Sequence, residues 1–355
     1  MTPPVIACCS TSSSKGSGRP VVRPARLVAA LAFCVIAAGC LPELPGPKNP
    51  ELVKPPPPPT DIRKTPHTFA LGLITNRRVR TLSLEVFNTG RIRTRGEVVS
   101  ALKSYHAKVR LDIPVFLVRH PEQGILLFGT GLSPDRARWE QHAWDPLLPK
   151  SFVYGQKKGS DIVAQLAAAG ISSATVRWVI LPFLSPETAG MVDAFPEAAV
   201  AVSEREWEWA RSRQKPGVEQ PLSPEVLEGD IRLKLQDISN APGFGPFENG
   251  LDLFADGSVY LVGLPGRTPG NMGLWLNLDN GPVLLTGGAA YVIDNYLDLA
   301  LPIKERIGDL EEFWRSLHII QSAQRDVPQL IVFPGNDLTP LKLFKRADIR
   351  KISAR

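Results

Sequence analysis

The sequence predicts a layered α/β domain that begins near residue 68, and three observations support this fold class. Short stretches in which apolar and polar residues alternate occur in both halves of the chain, a pattern typical of half-buried strands. Residues 176–181 are largely apolar, as expected for a strand inside a sheet. Segments with helix caps and one apolar face lie between these strands. Strands with helices between them build layered α/β domains.

The predicted elements follow one another in a regular order along the chain. Strands are predicted at residues 68–75, 82–87, 113–118, 125–128, 176–181, 198–202, 251–254, 258–262, 272–276, 283–286 and 329–333. One helix is predicted at residues 161–169, capped by Ser160 and ended by Gly170. A second helix follows the capping-box pattern at residues 203–206, and a third covers residues 310–323.

The charge of the chain gives no reason to expect nucleic acid as a partner. The 355 residues carry a formal charge of +6, but residues 1–39 contain four bases and no acids. The remaining 37 bases and 35 acids leave a charge of only +2. All four cysteines lie within the first 40 residues, so no disulfide, thiolate nucleophile or cysteine metal ligand is expected downstream.

The N-terminus shows the features of a bacterial lipoprotein signal peptide in the expected order. A basic segment precedes a 12-residue apolar run at residues 27–38, which is too short to span a bilayer. The run ends in Ala37-Ala38-Gly39-Cys40, which resembles the lipobox. The resemblance implies cleavage before Cys40 and its acylation, with palmitate among the chains, so that Cys40 anchors the protein to a lipid bilayer. Leu41 after the cysteine favours the outer membrane of the cell envelope, on its periplasmic or surface face. An ordinary signal peptide or a short uncleaved anchor is the alternative.

A proline-rich segment separates the signal from the domain. Ten prolines lie between residues 41 and 66, five of them consecutive, and such a segment is typical of a stiff polyproline spacer. The sequence therefore predicts four parts. They are a signal peptide at residues 1–39, the acylated cysteine and spacer at 40–66, the folded domain at 67–345 and a basic C-terminal tail at 346–355.

Several motifs in the folded domain occur in a defined order over about residues 68–340. They are Leu127-Phe128-Gly129-Thr130-Gly131, Val179-Ile180-Leu181 with Ala189-Gly190, Pro265-Gly266-Arg267-Thr268-Pro269-Gly270, Leu285-Thr286-Gly287-Gly288-Ala289 and Phe333-Pro334-Gly335-Asn336-Asp337. As an ordered set they resemble the metallo-β-lactamase superfamily, and within it the branch that includes N-acyl homoserine lactonases. The resemblance implies a single-domain αββα four-layer sandwich with its site at one edge of the two sheets.

Members of that superfamily hold one or two zinc ions with a His-x-His-x-Asp-His loop and later His and Asp residues, and the metal activates a water. The matching positions here are occupied by Phe183, Ser185, Glu187, Thr188, Arg267, Gly288 and Asn336. Glu187 alone among them remains a good ligand, and Arg267 places a permanent cation where zinc should lie. The resemblance therefore implies that zinc is the family cofactor but that this chain has no metal ligand set and no catalytic residues of the family type.

Two interpretations of these seven positions remain open. Arg267 either pairs with Glu187 or Asp337 and fills the former site, or it binds the anionic group of a small-molecule ligand. Ser185 lacks a nearby base and a nucleophile elbow, so we do not expect it to act as a nucleophile. None of the five histidines, His67, His106, His120, His142 and His318, pairs with another at ligand spacing.

The main functional prediction is a membrane-tethered envelope lipoprotein that uses a metallo-β-lactamase-like fold for binding rather than catalysis. The alternative is a lactonase-like or esterase-like hydrolase of the same superfamily that acts through an unrecognised site. A third hypothesis, a structural assembly partner, predicts neither metal binding nor stabilisation by a small molecule.

Overall fold

The computed structural model describes residues 52–75, 82–104, 107–135, 152–212 and 231–352. The predicted signal peptide, Cys40, and the loop that carries His142 lie outside the described residues. No helix in the described ranges is long and apolar enough to cross a membrane.

The first sheet contains the longest strands of the molecule. Its described strands are β1 (Ser83–Arg95), β2 (Lys108–His120), β3 (Gly124–Phe128), β4 (Val153–Gly155), β5 (Val176–Ile180), β6 (Ala199–Ser203), β7 (Arg232–Gln236) and β13 (Ile349–Lys351). They pair in the order β13-β1-β2-β3-β5-β6-β7, with β4 on β1. The β1–β2–β3 part is antiparallel, and β3, β5, β6 and β7 are parallel.

The second sheet is shorter and its strands are almost entirely buried. It contains β8 (Gly250–Asp252), β9 (Val259–Gly263), β10 (Met272–Leu278), β11 (Gly281–Leu285) and β12 (Ile331–Phe333), in the order β12-β11-β10-β9-β8. Every residue of β10 is buried, as expected for a strand covered on both faces.

Helices cover the outer faces of both sheets. They are α1 (Phe69–Thr75), α2 (Ile162–Ala168), α3 (Pro186–Ala189), α4 (Glu204–Arg211), α5 (Ile293–Leu297), α6 (Leu310–Asp326) and α7 (Pro340–Leu343). Asp161 caps α2 by accepting from Ala164 N, one residue later than the predicted Ser160.

Three apolar cores hold the four layers together. The central core lies between the two sheets and contains Phe116 from the first and Leu274 from the second. A second core joins the first sheet to α2 and α4, and a third joins the second sheet to α5 and α6. The predicted αββα four-layer sandwich is therefore confirmed.

Three local predictions differ from the structure. Residues 69–75 form helix α1 rather than a strand, because Phe69 and Leu73, one helical turn apart, both face the core. Glu206 does not complete a capping box but turns into the protein interior. Residues 349–351, expected within a basic tail, form β13 and pair with β1, so the folded domain extends beyond residue 345.

The last part of the proline-rich segment packs on the domain. Val53 and Ile62 contact the apolar core, and Asp61 forms an ion pair with Arg315 of α6. Arg63 donates a hydrogen bond to the carbonyl of Gly245. The predicted spacer of residues 40–66 is therefore in contact with the domain over its last part.

Candidate functional site

The seven candidate residues come from loops that follow four strands and meet at one edge of the sandwich. Residues 183–188 follow β5, Arg267 follows β9, Gly288 follows β11 and Asn336 follows β12. Because the ends of these strands lie together, residues far apart in sequence come into contact, as the resemblance implied. All the candidate residues are buried.

Arg267 and Glu187 form a buried ion pair at the centre of this edge. Arg267 Nη2 lies 2.7 Å from Glu187 Oε1, and the two side chains are 1% and 3% exposed. The second carboxylate oxygen of Glu187 accepts a 2.8 Å hydrogen bond from the Tyr154 hydroxyl of β4. Both oxygens of the carboxylate therefore have partners within the protein, and the first interpretation of Arg267, pairing with Glu187, matches this geometry.

Two aromatic rings enclose the guanidinium of Arg267. Its Cζ atom lies 4.2 Å from the ring centroid of Phe183 and 4.8 Å from that of Tyr291. Both distances are within the range of cation–π attraction, which is strongest where water is excluded. The arginine thus lies among a carboxylate and two π faces, at a position that the resemblance assigns to a metal ligand.

The loop that contains Ser185 and Thr188 is stabilised by its own hydroxyl groups. Thr188 Oγ1 donates to the carbonyl of Phe183 at 2.6 Å and accepts from Ser185 N at 3.2 Å. Ser185 Oγ lies 3.0 Å from the same Thr188 Oγ1. These hydroxyls begin the short helix α3, so their role in this structure is to shape the loop.

Asn336 links the second sheet to the first. Its side-chain amide donates to the carbonyl of Asp112 on β2 at 3.1 Å, and its backbone N donates to the carbonyl of Tyr291. Beside it is a cavity of about 30 Å³, which has room for about one water molecule. The cavity is lined largely by apolar groups, with Phe183, Glu187 and Asn336 among its neighbours.

Glu206 connects two of the site loops through hydrogen bonds to their backbones. Its two carboxylate oxygens accept from Leu184 N at 2.9 Å and from Gly270 N at 3.2 Å, in the loops that carry residues 183–188 and Arg267. Burial raises the pKa of the Glu206 carboxyl to about 7, against the hydrogen bonds from Leu184 and Gly270, which lower it. The sequence pattern predicted a capping box at residues 203–206 and did not reveal this role.

The donor set at this edge does not fit zinc. Phe183 and Gly288 offer no ligand atom, and the hydroxyl groups of Ser185 and Thr188 are engaged with the loop backbone. The single carboxylate, Glu187, is already bound by Arg267 and Tyr154. A second cation next to that buried guanidinium would be repelled by it. No step through a metal is therefore derived for this chain.

His120, Asp256 and Ser258 form a buried set that resembles a hydrolase triad in composition. His120 Nε2 lies 2.9 Å from Asp256 Oδ2 and 3.1 Å from Ser258 Oγ. His120 Nδ1 accepts from the backbone N atoms of Glu122 and Gln123, so in the neutral ring the proton is on Nε2. A protonated Nε2 cannot take the proton of Ser258, and the set therefore stabilises the β2–β3 turn.

Sequence reasoning missed three residues of this edge: Tyr154, Tyr291 and Glu206. Tyr154 lies in a loop-rich insertion, and Tyr291 follows the Gly287-Gly288 motif without a spacing that would mark it. Their contacts with Glu187 and Arg267 arise only from the tertiary fold. A polar residue predicted on a helix terminus, as Glu206 was, gives no signal that it points inward.

Comparisons with known proteins agree with this architecture. The N-acyl homoserine lactonase AttM of Azorhizobium caulinodans is 25% identical over 228 residues, which span 62% of this chain and 81% of that protein. AttM of Agrobacterium fabrum is 25% identical over 229 residues. No family model matches the sequence.

Solved structures with the same fold include an N-acyl homoserine lactone hydrolase with N-hexanoyl-L-homoserine bound at its catalytic metal centre. It aligns with a TM-score of 0.60 at 19% identity, over 76% of this chain and 98% of that one. AidC, a dizinc quorum-quenching lactonase, aligns with a TM-score of 0.52 at 15% identity, over 73% and 88% of the two chains.

These relationships and the four-layer sandwich define a metallo-β-lactamase-fold protein. In sequence the chain is similar to N-acyl homoserine lactonases, in agreement with the resemblance to the lactonase branch of the metallo-β-lactamase superfamily. Related lactonases bind zinc, whereas the corresponding edge of this chain is built around the Arg267–Glu187 pair.

Proposed function

We propose that this protein is a membrane-tethered lipoprotein of the bacterial cell envelope whose metallo-β-lactamase-like domain acts by binding and not by zinc-dependent hydrolysis. The observation that carries this proposal is the buried Arg267–Glu187 ion pair at the family's metal position. A guanidinium is charged at every accessible pH, so it excludes a divalent cation permanently. The acylated Cys40, the lipid-bilayer contact and the outer-membrane location are parts of the same proposal and follow from the lipobox-like sequence alone.

The test of metal-independence is the metal content of the purified protein. A chain that begins at residue 48 keeps the docked segment with Val53, Asp61 and Ile62, which a start at residue 67 would remove. We expect far less than one zinc per chain by mass spectrometry, and no change in melting temperature on addition of zinc or a chelator. A lactonase of the same fold that binds zinc serves as the control. Stoichiometric zinc in this chain would overturn the proposal.

The ligand that fits this site best is a small molecule with a carboxylate. Arg267 is the only candidate residue that is a cation, and a carboxylate can replace that of Glu187 as its partner. The product in one structural neighbour, N-hexanoyl-L-homoserine, is such a carboxylate. Because the adjacent cavity holds about one water, binding requires Glu187 to move aside.

A competition experiment tests this ligand. We expect N-hexanoyl-L-homoserine to raise the melting temperature of the Glu187→Gln variant more than that of the unsubstituted protein, because the substitution removes the carboxylate that competes with the ligand for the guanidinium. The uncharged lactone should have a smaller effect on both. Equal stabilisation by the carboxylate and the lactone would contradict binding at Arg267, and no stabilisation by either would favour a structural assembly role.

The relatives favour a second candidate function, hydrolysis of a lactone or ester. The support is that these relatives are N-acyl homoserine lactonases, at 25% identity over most of their length. The measurement is turnover of N-hexanoyl-homoserine lactone with and without a chelator, followed by mass spectrometry. Turnover that survives chelation, and that Arg267→Met abolishes, would establish a hydrolase with a metal-free site.

A further inference from the structure

A dense row of cations lies on one face of the β1–β2 hairpin. Arg91, Arg93 and Arg95 are two residues apart on β1, so their side chains share a face. Their cross-strand partners on β2 are Asp112, Arg110 and Lys108, respectively. All five cations are exposed.

Two of these cross-strand pairs bring like charges together. Arg93 is directly opposite Arg110, and Arg95 is directly opposite Lys108. Like charges in this position destabilise a sheet. Arg95 has a partner in Glu97 at 2.9 Å and Arg91 lies 3.8 Å from Asp112. Within the described residues, however, Arg93, Lys108 and Arg110 form no ion pair. This arrangement indicates a surface that meets an external anion.

The C-terminal part of the domain extends the same surface. Arg91 and Asp112 line a groove of about 540 Å³ together with Lys342, Lys345 and Lys351. Arg346 in this groove is neutralised by Asp348, at 2.6 Å. The basic face, defined as Arg91, Arg93, Arg95, Lys108, Arg110, Lys342, Lys345 and Lys351, concentrates eight cations in a chain whose predicted mature charge is only +2.

Two large exposed apolar residues lie between Lys342 and Lys345 in the sequence. Phe344, which is 42% exposed, lines the groove, and Leu343, which is 62% exposed, precedes it. Exposed leucine and phenylalanine flanked by lysines are typical of surfaces that enter the interface of a membrane. Single-stranded nucleic acids are instead bound by several aromatic rings beside the cations. Phe344 is the one aromatic ring among the residues that line the groove, and the exposed Leu343 cannot stack on a base.

We propose that the basic face docks on anionic lipid head groups, as a second membrane contact in addition to the predicted anchor at Cys40. Anionic lipid attracts each nearby lysine or arginine, and the contributions add over a cluster. Val53, the first residue of the docked segment that contacts the core, lies thirteen positions after Cys40, so the tether spans at most about 45 Å at roughly 3.3–3.6 Å per residue. A domain on so short a tether stays close enough to the bilayer for direct contact. The proposal does not depend on whether the domain binds a ligand or hydrolyses one.

The test is cosedimentation of the full chain with lipid vesicles, using Cys40→Ser in every sample to prevent acylation. Vesicles of phosphatidylcholine alone are compared with vesicles that also contain phosphatidylglycerol. We expect at least tenfold tighter binding to the anionic vesicles, and loss of this difference in 0.5 M salt. The N-terminal basic segment also favours anionic vesicles, but it is the same in every protein tested, so its contribution cancels when the charge-reversal variants are compared on the same vesicles.

Matched charge-reversal variants identify the surface responsible. Arg93→Glu with Arg110→Glu keeps a like-charge pair on the hairpin but changes its sign, and should abolish the preference for anionic vesicles. Arg177→Glu with Lys234→Glu makes the same change in net charge at two exposed positions on β5 and β7, and should preserve that preference. Leu343→Ala with Phe344→Ala should weaken binding to anionic vesicles. Equal losses in the two charge-reversal variants, or tighter binding to a single-stranded RNA probe than to anionic vesicles, would overturn the proposal.

Discussion

The side chain of Arg267 packs directly against Gly288. A β carbon on residue 288 would lie only 2.6 Å from Arg267 Cδ. Gly288 does not have a left-handed backbone, so the reason for glycine is space rather than conformation. The resemblance assigns the bridging aspartate of the family to this position. A side chain at residue 288 therefore fits only if the side chain of Arg267 shifts.

This close contact predicts that restoring the aspartate destabilises the protein. Gly288→Asp should lower the free energy of unfolding by about 1–3 kcal/mol, the usual cost of overpacking. In an Arg267→Ala background the same substitution should cost much less, because the obstructing side chain is gone. Urea denaturation of the four proteins in this double-mutant cycle measures the coupling. Equal costs in both backgrounds would contradict the steric explanation.

From the Arg267–Glu187 pair we expect that replacing both partners lowers the free energy of unfolding by less than the sum of the two single replacements. Arg267→Met or Glu187→Leu alone leaves an uncompensated buried charge and should cost about 3–5 kcal/mol. The double substitution should cost clearly less than the sum, since no charge then remains buried. The exposed pair Arg232–Glu197 provides the control: Glu197→Gln should change unfolding by less than about 1 kcal/mol. Additive costs at the buried pair would show that its charges interact weakly.

The α/β class was predictable from sequence patterns and the order of layers from the resemblance, whereas the interior of the site was not. Alternating strands and capped helices gave the α/β class, and the Pro-Gly, Thr-Gly-Gly and Pro-Gly-Asn motifs located three of the four loops. Glu187 contacts both Arg267 and Tyr154, and Arg267 also contacts Tyr291. Each of these contacts joins residues more than 20 positions apart in the sequence. A sequence pattern has a local period and carries no information about such contacts. Residues 69–75 show the same limit of sequence patterns. Their short apolar run is compatible with a strand or a helix, and a helix forms because it places both Phe69 and Leu73 against the core.

Glu206 predicts a pH dependence of stability that is opposite to that of most carboxylates. Burial raises its pKa in the folded protein from 4.5 to about 7, so between these values the folded state binds more protons than the unfolded state. The free energy of unfolding should therefore fall as pH rises from about 4.5 to about 7, by roughly 3 kcal/mol at 1.36 kcal/mol per pKa unit. Below that window the carboxyl is protonated in both states and the penalty is absent.

The comparison with Glu206→Gln isolates this effect. The variant loses one hydrogen-bond acceptor for Leu184 N or Gly270 N, so it should be less stable than the unsubstituted protein at low pH. Its free energy of unfolding, however, should not show the decrease with rising pH that Glu206 causes. Burial lowers the pKa of His318, which makes stability rise with pH in an overlapping range. Because His318 is present in both proteins, its contribution cancels from the difference between their urea-denaturation curves. Parallel curves from pH 4.5 to 7 would rule out a raised pKa for Glu206.

The docked proline-rich segment predicts that a chain starting at residue 67 is less stable than one starting at residue 48. The shorter chain loses the apolar contacts of Val53 and Ile62, the hydrogen bond from Arg63 to Gly245 and the Asp61–Arg315 ion pair. Partial burial of two aliphatic side chains contributes about 2 kcal/mol at roughly 25 cal/mol per Å², and the exposed ion pair adds little. Thermal unfolding should therefore begin at a lower temperature in the shorter chain.

A point substitution separates the docking contacts from the length of the chain. Ile62→Ser in the chain from residue 48 should reproduce a large part of the loss, whereas Leu52→Ser, at an exposed position of the same segment, should have no measurable effect. If the chains from residues 48 and 67 unfold at the same temperature, the segment does not stabilise the domain. In that case the free tether would extend to residue 66, its reach would roughly double at 3.3–3.6 Å per residue, and a short tether would no longer support contact between the basic face and the bilayer.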